Sequence, residues 1–334
     1  MANKSLIIDR GEDLRQDAQR NKGRGKELAD AMLNHLERFH TFNEIRDDDI
    51  DEEILENELE AIRNPKKPNF ERGLVTFSPS SVSKTDRELY YKALKYPKDE
   101  KIFLPYQRRW VRNGSAIHDA VQKDLLYAEQ HLQNPAFKVD RMEDGTPKWE
   151  HFLKDVKQLE HDGKRFQLFG MMDGILEYKD GSKIGFEFKT KSTTIAAVGD
   201  YLMKDAQDSH KQQAIAYSLL FGIDEFIFLY ESVAKDGWLK GTDAKDDLRA
   251  FYFKPTETQK RELLDKFARV VDHVERRDIP DAVQDGSVYL FSEYKTQLQK
   301  DGGFDWFAWD AEQKAIKAEK ARIAAEKRKK AKKK

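Results

Sequence analysis

The stretch that decides this chain's fold runs Phe166-Gln-Leu-Phe-Gly-Met-Met-Asp173-Gly-Ile-Leu-Glu-Tyr178, Lys179-Asp180-Gly181, Ser182-Lys-Ile-Gly-Phe-Glu187-Phe-Lys189. Asp180-Gly181 between two apolar-rich runs is a hairpin signal, so 165–190 reads as two strands around a turn. A two-residue Asp-Gly loop would pair Asp173 with Phe188. A three-residue loop, with Gly181 left-handed after a type I turn, pairs Tyr178 with Ser182 and Asp173 with Glu187. Side-chain alternation chooses the second. In that register Met172, Leu176, Tyr178, Ile184, Phe186 and Phe188 share one face, and Asp173, Glu177, Lys183, Glu187 and Lys189 share the other. A slip of one residue would mix the two faces.

Adjacent carboxylates repel unless a cation lies between them, and Mg2+ or Mn2+ favours carboxylate oxygen. A lysine on the same face can orient an attacking water or stabilise charge on a phosphate. An ordinary charged strand face also produces Glu-x-Lys, so the pairing with Asp173 after Gly170 is what gives the pattern weight.

Working outward, residues 110–131 read as a helix, and so do 206–221, which Gly222 closes. Residues 225–231 and 249–254 read as strands, and 256–277 as an amphipathic helix. Ser78-Pro79-Ser80-Ser81 reads as a helix start, followed by a stripe through Val82, Leu89 and Tyr90. These elements predict an α/β architecture, a mixed sheet flanked by helices. Upstream, 25–40 carries Leu28, Met32, Leu36 and Phe39 on one helical side. Residues 47–60 hold nine carboxylates in fourteen positions, with Ile50, Ile54, Leu55 and Leu59 at helical spacing. A solvated amphipathic helix explains that segment better than a DNA mimic covering a basic cleft. Residues 64–69, with two prolines and two lysines, read as a linker.

Four segments in order resemble the PD-(D/E)XK nuclease superfamily, and within it the RecB-type nucleases, which include phage exonucleases and CRISPR-associated adaptation nucleases. Gly114-Ser-Ala-Ile-His118 resembles the family's Gly-x-x-x-His helix, and Gly170-Met-Met-Asp173 its Gly-x-x-Asp. Glu187-Phe-Lys189 resembles its Glu-x-Lys, and Gln213-Ala-Ile-Ala-Tyr217 its Gln-x-x-x-Tyr helix. The resemblance spans roughly 75–275. It implies a restriction-endonuclease-like mixed central sheet over 71–300 and does not reach the polar helical segment before it (1–70) or the basic tail after it (301–334), which are read from composition and spacing. It also implies roles. His118, Asp173, Glu187 and the Phe188 carbonyl would hold Mg2+ or Mn2+. Lys189 would serve the attacking water, and Gln213 and Tyr217, four apart on a helix, would face the site and the DNA backbone. The implied activity is a DNA exonuclease of phage recombination, replication or repair. A structure-specific endonuclease and a non-catalytic DNA-binding protein on the same scaffold are the alternatives. The implied partners are DNA, contacted through its backbone with little sequence preference, and a recombination or single-strand-binding protein. Ser80, Ser81, Arg87 and Tyr90 resemble the opening segment of such domains, and Arg108, Arg109 and Arg112 form a basic cluster that could touch phosphate.

Composition agrees. The 334 residues are 36% charged and 39% apolar, with 20 Phe and 12 Tyr to build a core. There is no cysteine, which excludes disulfides, thiolate zinc sites and the iron–sulfur cluster of many relatives. No helicase-type phosphate loop occurs. No apolar run approaches the roughly 18 residues of a membrane span, and residues 1–10 do not read as a secretory signal. The expected location is the cytoplasm, a host's if the chain is phage-encoded. The net charge of -1 hides an asymmetry. Residues 311–334 hold eleven Lys/Arg against three Glu, a charge of +8, which leaves the other 310 residues at -9. An acidic body does not fit a passive DNA-coating protein. It fits an enzyme that gathers cations in one cleft.

Overall fold

The computed structural model describes residues 23–331 except 44, 66, 150, 151 and 192. The reading of residues 1–10 and the last three lysines of the tail lie outside the described residues.

The strands, in chain order, are β1 (Val75–Phe77), β2 (Phe137–Val139), β3 (Lys154–His161), β4 (Lys164–Met171), β5 (Gly174–Tyr178), β6 (Lys183–Lys191), β7 (Phe226–Ser232) and β8 (Leu248–Phe253). The expected mixed α/β architecture is present, but its strands are divided between two sheets. One has the order β1-β4-β3 and the other β2-β5-β6-β7-β8. β6 and β7 run parallel, and β1 and β4 likewise; the remaining pairs are antiparallel.

The hairpin adopts the three-residue register. Leu176 opposes Ile184 and Glu177 opposes Lys183. Tyr178 N–H donates to the Ser182 carbonyl at 2.9 Å, and Gly181 sits at φ +85°. Two details of the reading are corrected. The stretch 166–178 is not one strand: it breaks at Met172 and Asp173, so that β4 joins the small sheet and β5 the large one. The break turns Met172 into the same core cluster as Ile175, not the cluster of Leu176 and Tyr178. At its far end the charged face is covered, and Asp173 and Glu187 are buried.

The helices are α1 (23–40), α2 (Asp48–Arg63), α3 (Asp86–Ala93), α4 (Pro105–His131), α5 (Asp208–Phe221), α6 (Glu257–Arg276), α7 (Lys295–Lys300) and α8 (Trp306–Ala331). On one side of the large sheet, Val121, Leu125 and Leu126 of α4 and Leu28, Met32 and Leu36 of α1 pack on Phe186, Phe188, Ile227 and Leu229. On the other, Ala214 and Tyr217 of α5 pack on Phe226, Phe228 and Tyr230. A parallel β6–β7 pair requires a crossover, and α5 supplies it. It ends at left-handed Gly222, φ +71°. The small sheet packs Phe166 and Leu168 against Phe267, Val270 and Val271 of α6.

Several helix starts are legible in their caps. Thr256 caps α6 within a capping box, and Asp47 caps α2. Ser78 does not start the helix expected after it. Pro79–Ser81 is one 3-10 turn, and α3 begins at Asp86 with Thr85 as the capping residue of a full capping box. α4 begins five residues earlier than its apolar stripe suggests, at Pro105, a favourable first position. The acidic segment is an amphipathic helix resting on α4. Ile50 and Ile54 pack inward, Asp51 pairs with Lys123 at 2.5 Å, and Asp47 meets His131 at 2.8 Å. The tail forms a single helix, α8, exposed from Ala311 to Glu326. Among the described residues, no helix is long and apolar enough to cross a membrane.

Candidate functional site

The β4–β5 break and the end of β6 meet under the middle of α4. Gly170 is what lets the chain pass there: a Cβ on it would lie 2.8 Å from Pro79 and 3.2 Å from Leu220. Gly114 allows a similar approach, since a Cβ there would meet Thr190 Oγ1 at 3.3 Å. The glycines of both motifs therefore act through close packing.

Carried one step beyond its ladder, the hairpin register sets Asp173 opposite Glu187. Asp173 Oδ2 accepts the Phe188 N–H at 2.8 Å and lies 3.4 Å from His118 Nε2 and 3.8 Å from Lys189 Nζ. Lys189 Nζ also donates to Glu187 Oε1. The His118 and Phe188 rings are 5.9 Å apart. His118, Asp173, Glu187, Phe188 and Lys189, widely separated in sequence, thus form one cluster. Val111, Gly114, Ser115, His118 and Asp119 of α4, with Lys154, Met171, Asp173, Phe188 and Lys189 opposite, line an open cleft of about 710 Å³.

Electrostatics separates the two carboxylates. Burial, joined by the charge of Asp173, pushes Glu187 up to about 8. Burial would raise Asp173 too, but the Lys189 ammonium, the His118 contact and the Phe188 N–H outweigh it and hold Asp173 below the usual range. Burial opposes the Lys189 charge, yet Glu187 and Asp173 keep its pKa above the ordinary lysine value. One ammonium does not neutralise two buried carboxylates. Glu187 Oε2 is fully buried and has no hydrogen-bond partner among the described residues. A buried carboxylate oxygen left unpaired is costly.

Gln213 and Tyr217 bond to each other and to the end of β4. Gln213 Nε2 donates to Tyr217 Oη at 2.8 Å, and Tyr217 Oη donates to the Met171 carbonyl at 2.6 Å. Tyr217 is a core residue, 3% exposed, and it holds the end of β4 two residues before Asp173. Arg87 and Tyr90 are buried away from the cleft. Arg87 donates to Tyr91 Oη at 2.6 Å and to the Pro280 carbonyl at 3.1 Å, and Tyr90 belongs to an aromatic core with Tyr289, Tyr294 and Trp306. Sequence reading missed Gln122, which is buried and donates to the Asp173 carbonyl at 2.9 Å. Its position one helical turn after His118 was the available signal. It also missed His210, whose Nδ1 lies 2.7 Å from Tyr230 Oη and whose pKa burial and Lys189 lower to about 4.

Among the described residues, one group of three His and acidic side chains has potential ligand atoms within 4.8 Å of one another: His161, Asp162 and Asp265. It lies at the β3–β4 turn and on α6, and the His161–Asp265 contact of 2.5 Å already accounts for two of its members.

No family model matches the chain, and no curated protein matches it in sequence. Among solved structures it is similar to that of SSO0001, with 13% identity and a TM-score of 0.38 over 74% of this chain and 95% of the other. It is also similar to an alkaline exonuclease, LHK-Exo, from Laribacter hongkongensis, with 12% identity and a TM-score of 0.37 over 61% and 90%. A phage-related exonuclease from Haemophilus somnus 129PT gives 9% identity and a TM-score of 0.36 over 61% and 95%. At these scores the likeness carries no argument about chemistry, which rests on the side chains above.

Proposed function

We propose that the chain is a divalent-metal-dependent deoxyribonuclease that hydrolyses phosphodiester bonds at DNA ends. The observation that carries this reading is the buried Asp173–Glu187 pair at one open cleft, with a single lysine between them and one carboxylate oxygen unpartnered among the described residues. That donor set suits a hard cation, which would displace the proton that burial keeps on Glu187: two buried carboxyl groups sharing one ammonium, an imidazole nitrogen, and the Phe188 carbonyl in β6. Asp173, Glu187, His118 and Phe188 would hold Mg2+ or Mn2+. Such an ion polarises a phosphoryl oxygen and makes water a better nucleophile near neutral pH.

The chain's own residues do the positioning. Lys189, kept charged by the two carboxylates, donates to the attacking water or to the phosphate as negative charge grows there. Gln122 and the Phe188 N–H fix Asp173 from its backbone and side-chain ends. Tyr217 fixes the strand end beneath it through the Met171 carbonyl. In the reaction, water oxygen bonds to phosphorus and gives up a proton to solvent, the bond from phosphorus to the leaving sugar oxygen breaks, and that oxygen takes a proton from solvent to leave as a hydroxyl. Contacts made mainly to phosphates predict weak sequence preference and steep salt dependence.

The test is purified protein with end-labelled linear and covalently closed circular DNA, in Mg2+, Mn2+ or EDTA, beside Lys189→Ala. The expected result is metal-dependent loss of linear DNA alone, absent in the variant. Cutting of circles would replace end-processing by endonuclease action. DNA binding without cleavage in any metal would overturn catalysis in favour of a binding scaffold.

A further inference from the structure

α4 is clothed over only half its length. Val121, Gln122, Leu125, Leu126, Tyr127 and Ala128 are its buried residues, all in its C-terminal half. From 105 to 113 every residue but Gln107 is exposed. These free turns carry two large aromatic rings, Tyr106 (46% exposed) and Trp110 (52%), edge to face with centroids 5.7 Å apart. They also carry Arg108, Arg109 and Arg112, and the Arg108 guanidinium lies 5.1 Å over the Phe103 ring. From Lys101 to His118 there is no Asp or Glu at all, in a body that is otherwise acidic. Lys101 is neutralised by Glu293, but among the described residues none of the three arginines pairs with a carboxylate.

The free turns run directly into the cleft. Val111, Gly114, Ser115 and His118 line it at helical spacing. By helical phase, Arg108 and Arg112 fall on one flank of that stripe and Trp110 on the other, with Tyr106 one turn before Trp110 and further round the helix, while Arg109 faces away. One edge of the path offers positive charge and the other offers ring faces, over about 20 Å of helix. Double-stranded DNA presents phosphates but hides its base faces in the stack. Unpaired nucleotides present both, and base-on-aromatic stacking beside a basic track is how single strands are held without sequence preference.

We propose that the free N-terminal turns of α4 are a lane for single-stranded DNA, which holds unpaired nucleotides on Tyr106 and Trp110 and leads them to the cleft. The direction of travel rests on the nuclease reading; the binding does not. The lane makes an unpaired DNA end the preferred substrate.

The test uses the full chain in EDTA, with fluorescence anisotropy on labelled oligothymidylate and on a blunt hairpin duplex of equal length. The double variant Tyr106→Ala/Trp110→Ala should lose about tenfold or more in single-strand affinity, with duplex affinity within about twofold. Trp110→Phe alone should retain most of the single-strand affinity. Arg108→Gln/Arg112→Gln should weaken both substrates and flatten the salt dependence. These side chains are exposed, and an unchanged thermal melt confirms that each variant is folded. Equal loss on both substrates, or no loss on either, overturns the lane. If the aromatic variant binds as wild type while Lys189→Ala abolishes cleavage, the lane fails and the nuclease reading stands. If the aromatic variant loses single-strand binding and the wild type cleaves nothing, the lane stands and the nuclease reading fails.

Discussion

The β5–β6 hairpin has the same residue chemistry at both ends and opposite physics. At the turn end, Glu177 opposes Lys183 and the pair touches at 2.5 Å, with side chains 46% and 39% exposed. Lys183 is shared with Asp140 at 2.8 Å, and water screens the whole group. At the far end, Asp173, Glu187 and Lys189 form a comparable cluster, but both carboxylates are buried and Glu187 is 1% exposed. The first cluster is a set of satisfied surface pairs. In the second, low dielectric magnifies every charge, and Glu187 Oε2 has no partner among the described residues. Glu-x-Lys spacing alone does not tell the two apart; what covers the strand does.

The sharpest way to break that comparison is to neutralise one carboxylate at each end. Glu187→Gln should lower the initial rate on end-labelled DNA in Mg2+ on the order of a thousandfold. Glu177→Gln should leave it within about twofold. If the turn-end variant were as damaging, the division of the hairpin into a working end and a solvated end would collapse.

Burial should govern titration elsewhere in the same core. His35 on α1 is 1% exposed, edge-on to Phe137, and neither ring nitrogen has a hydrogen-bond partner among the described residues. Burial, helped by Arg38, lowers its pKa to about 4 from 6.5. Folding therefore favours the neutral ring. The unfolded chain takes up a proton first, so the stability contribution is complete above 6.5 and is lost as pH falls toward 4. The full loss is about 3 kcal/mol. Urea midpoints of wild type and His35→Phe, compared from neutral to mildly acidic pH, should diverge in that window, with the variant the less acid-sensitive. Parallel curves would show that His35 accepts its proton in the folded state.

What could be read from sequence was what local physics decides. The hairpin register follows from Asp180-Gly181 and two-residue alternation, and the ends of α5 and α6 follow from Gly222 and Thr256. The break at Met172 and Asp173 could not be read. It depends on β1, which is distant in sequence, pairing with β4 on one side while the adjacent β3 pairs on the other, and on Pro79 and Leu220 pressing against Gly170. β3 escaped notice because it is an edge strand with mostly exposed residues, so its composition carries no apolar signal. His118, Asp173, Glu187, Phe188 and Lys189 each stand in a short motif of the sequence, and their convergence is a tertiary fact. The spacing of Gln213 and Tyr217 did not tell where the Tyr217 ring would go: it packs in the core, and its hydroxyl donates to the Met171 carbonyl.

The smallest effect is also the most exacting test of the comparison. A double-mutant cycle over Glu177→Gln and Lys183→Met, read from urea midpoints, isolates the turn-end pair from the rest of the hairpin. An exposed pair in direct contact across a ladder should give a coupling below about 1 kcal/mol, weakened further by salt. Lys183 retains Asp140 when Glu177 is neutralised, which lowers the expected value again. A coupling of several kcal/mol that persists in high salt would place the turn end in the same low-dielectric regime as Asp173 and Glu187. Burial would then no longer separate the two ends, and only the cleft would distinguish the Asp173–Glu187 end.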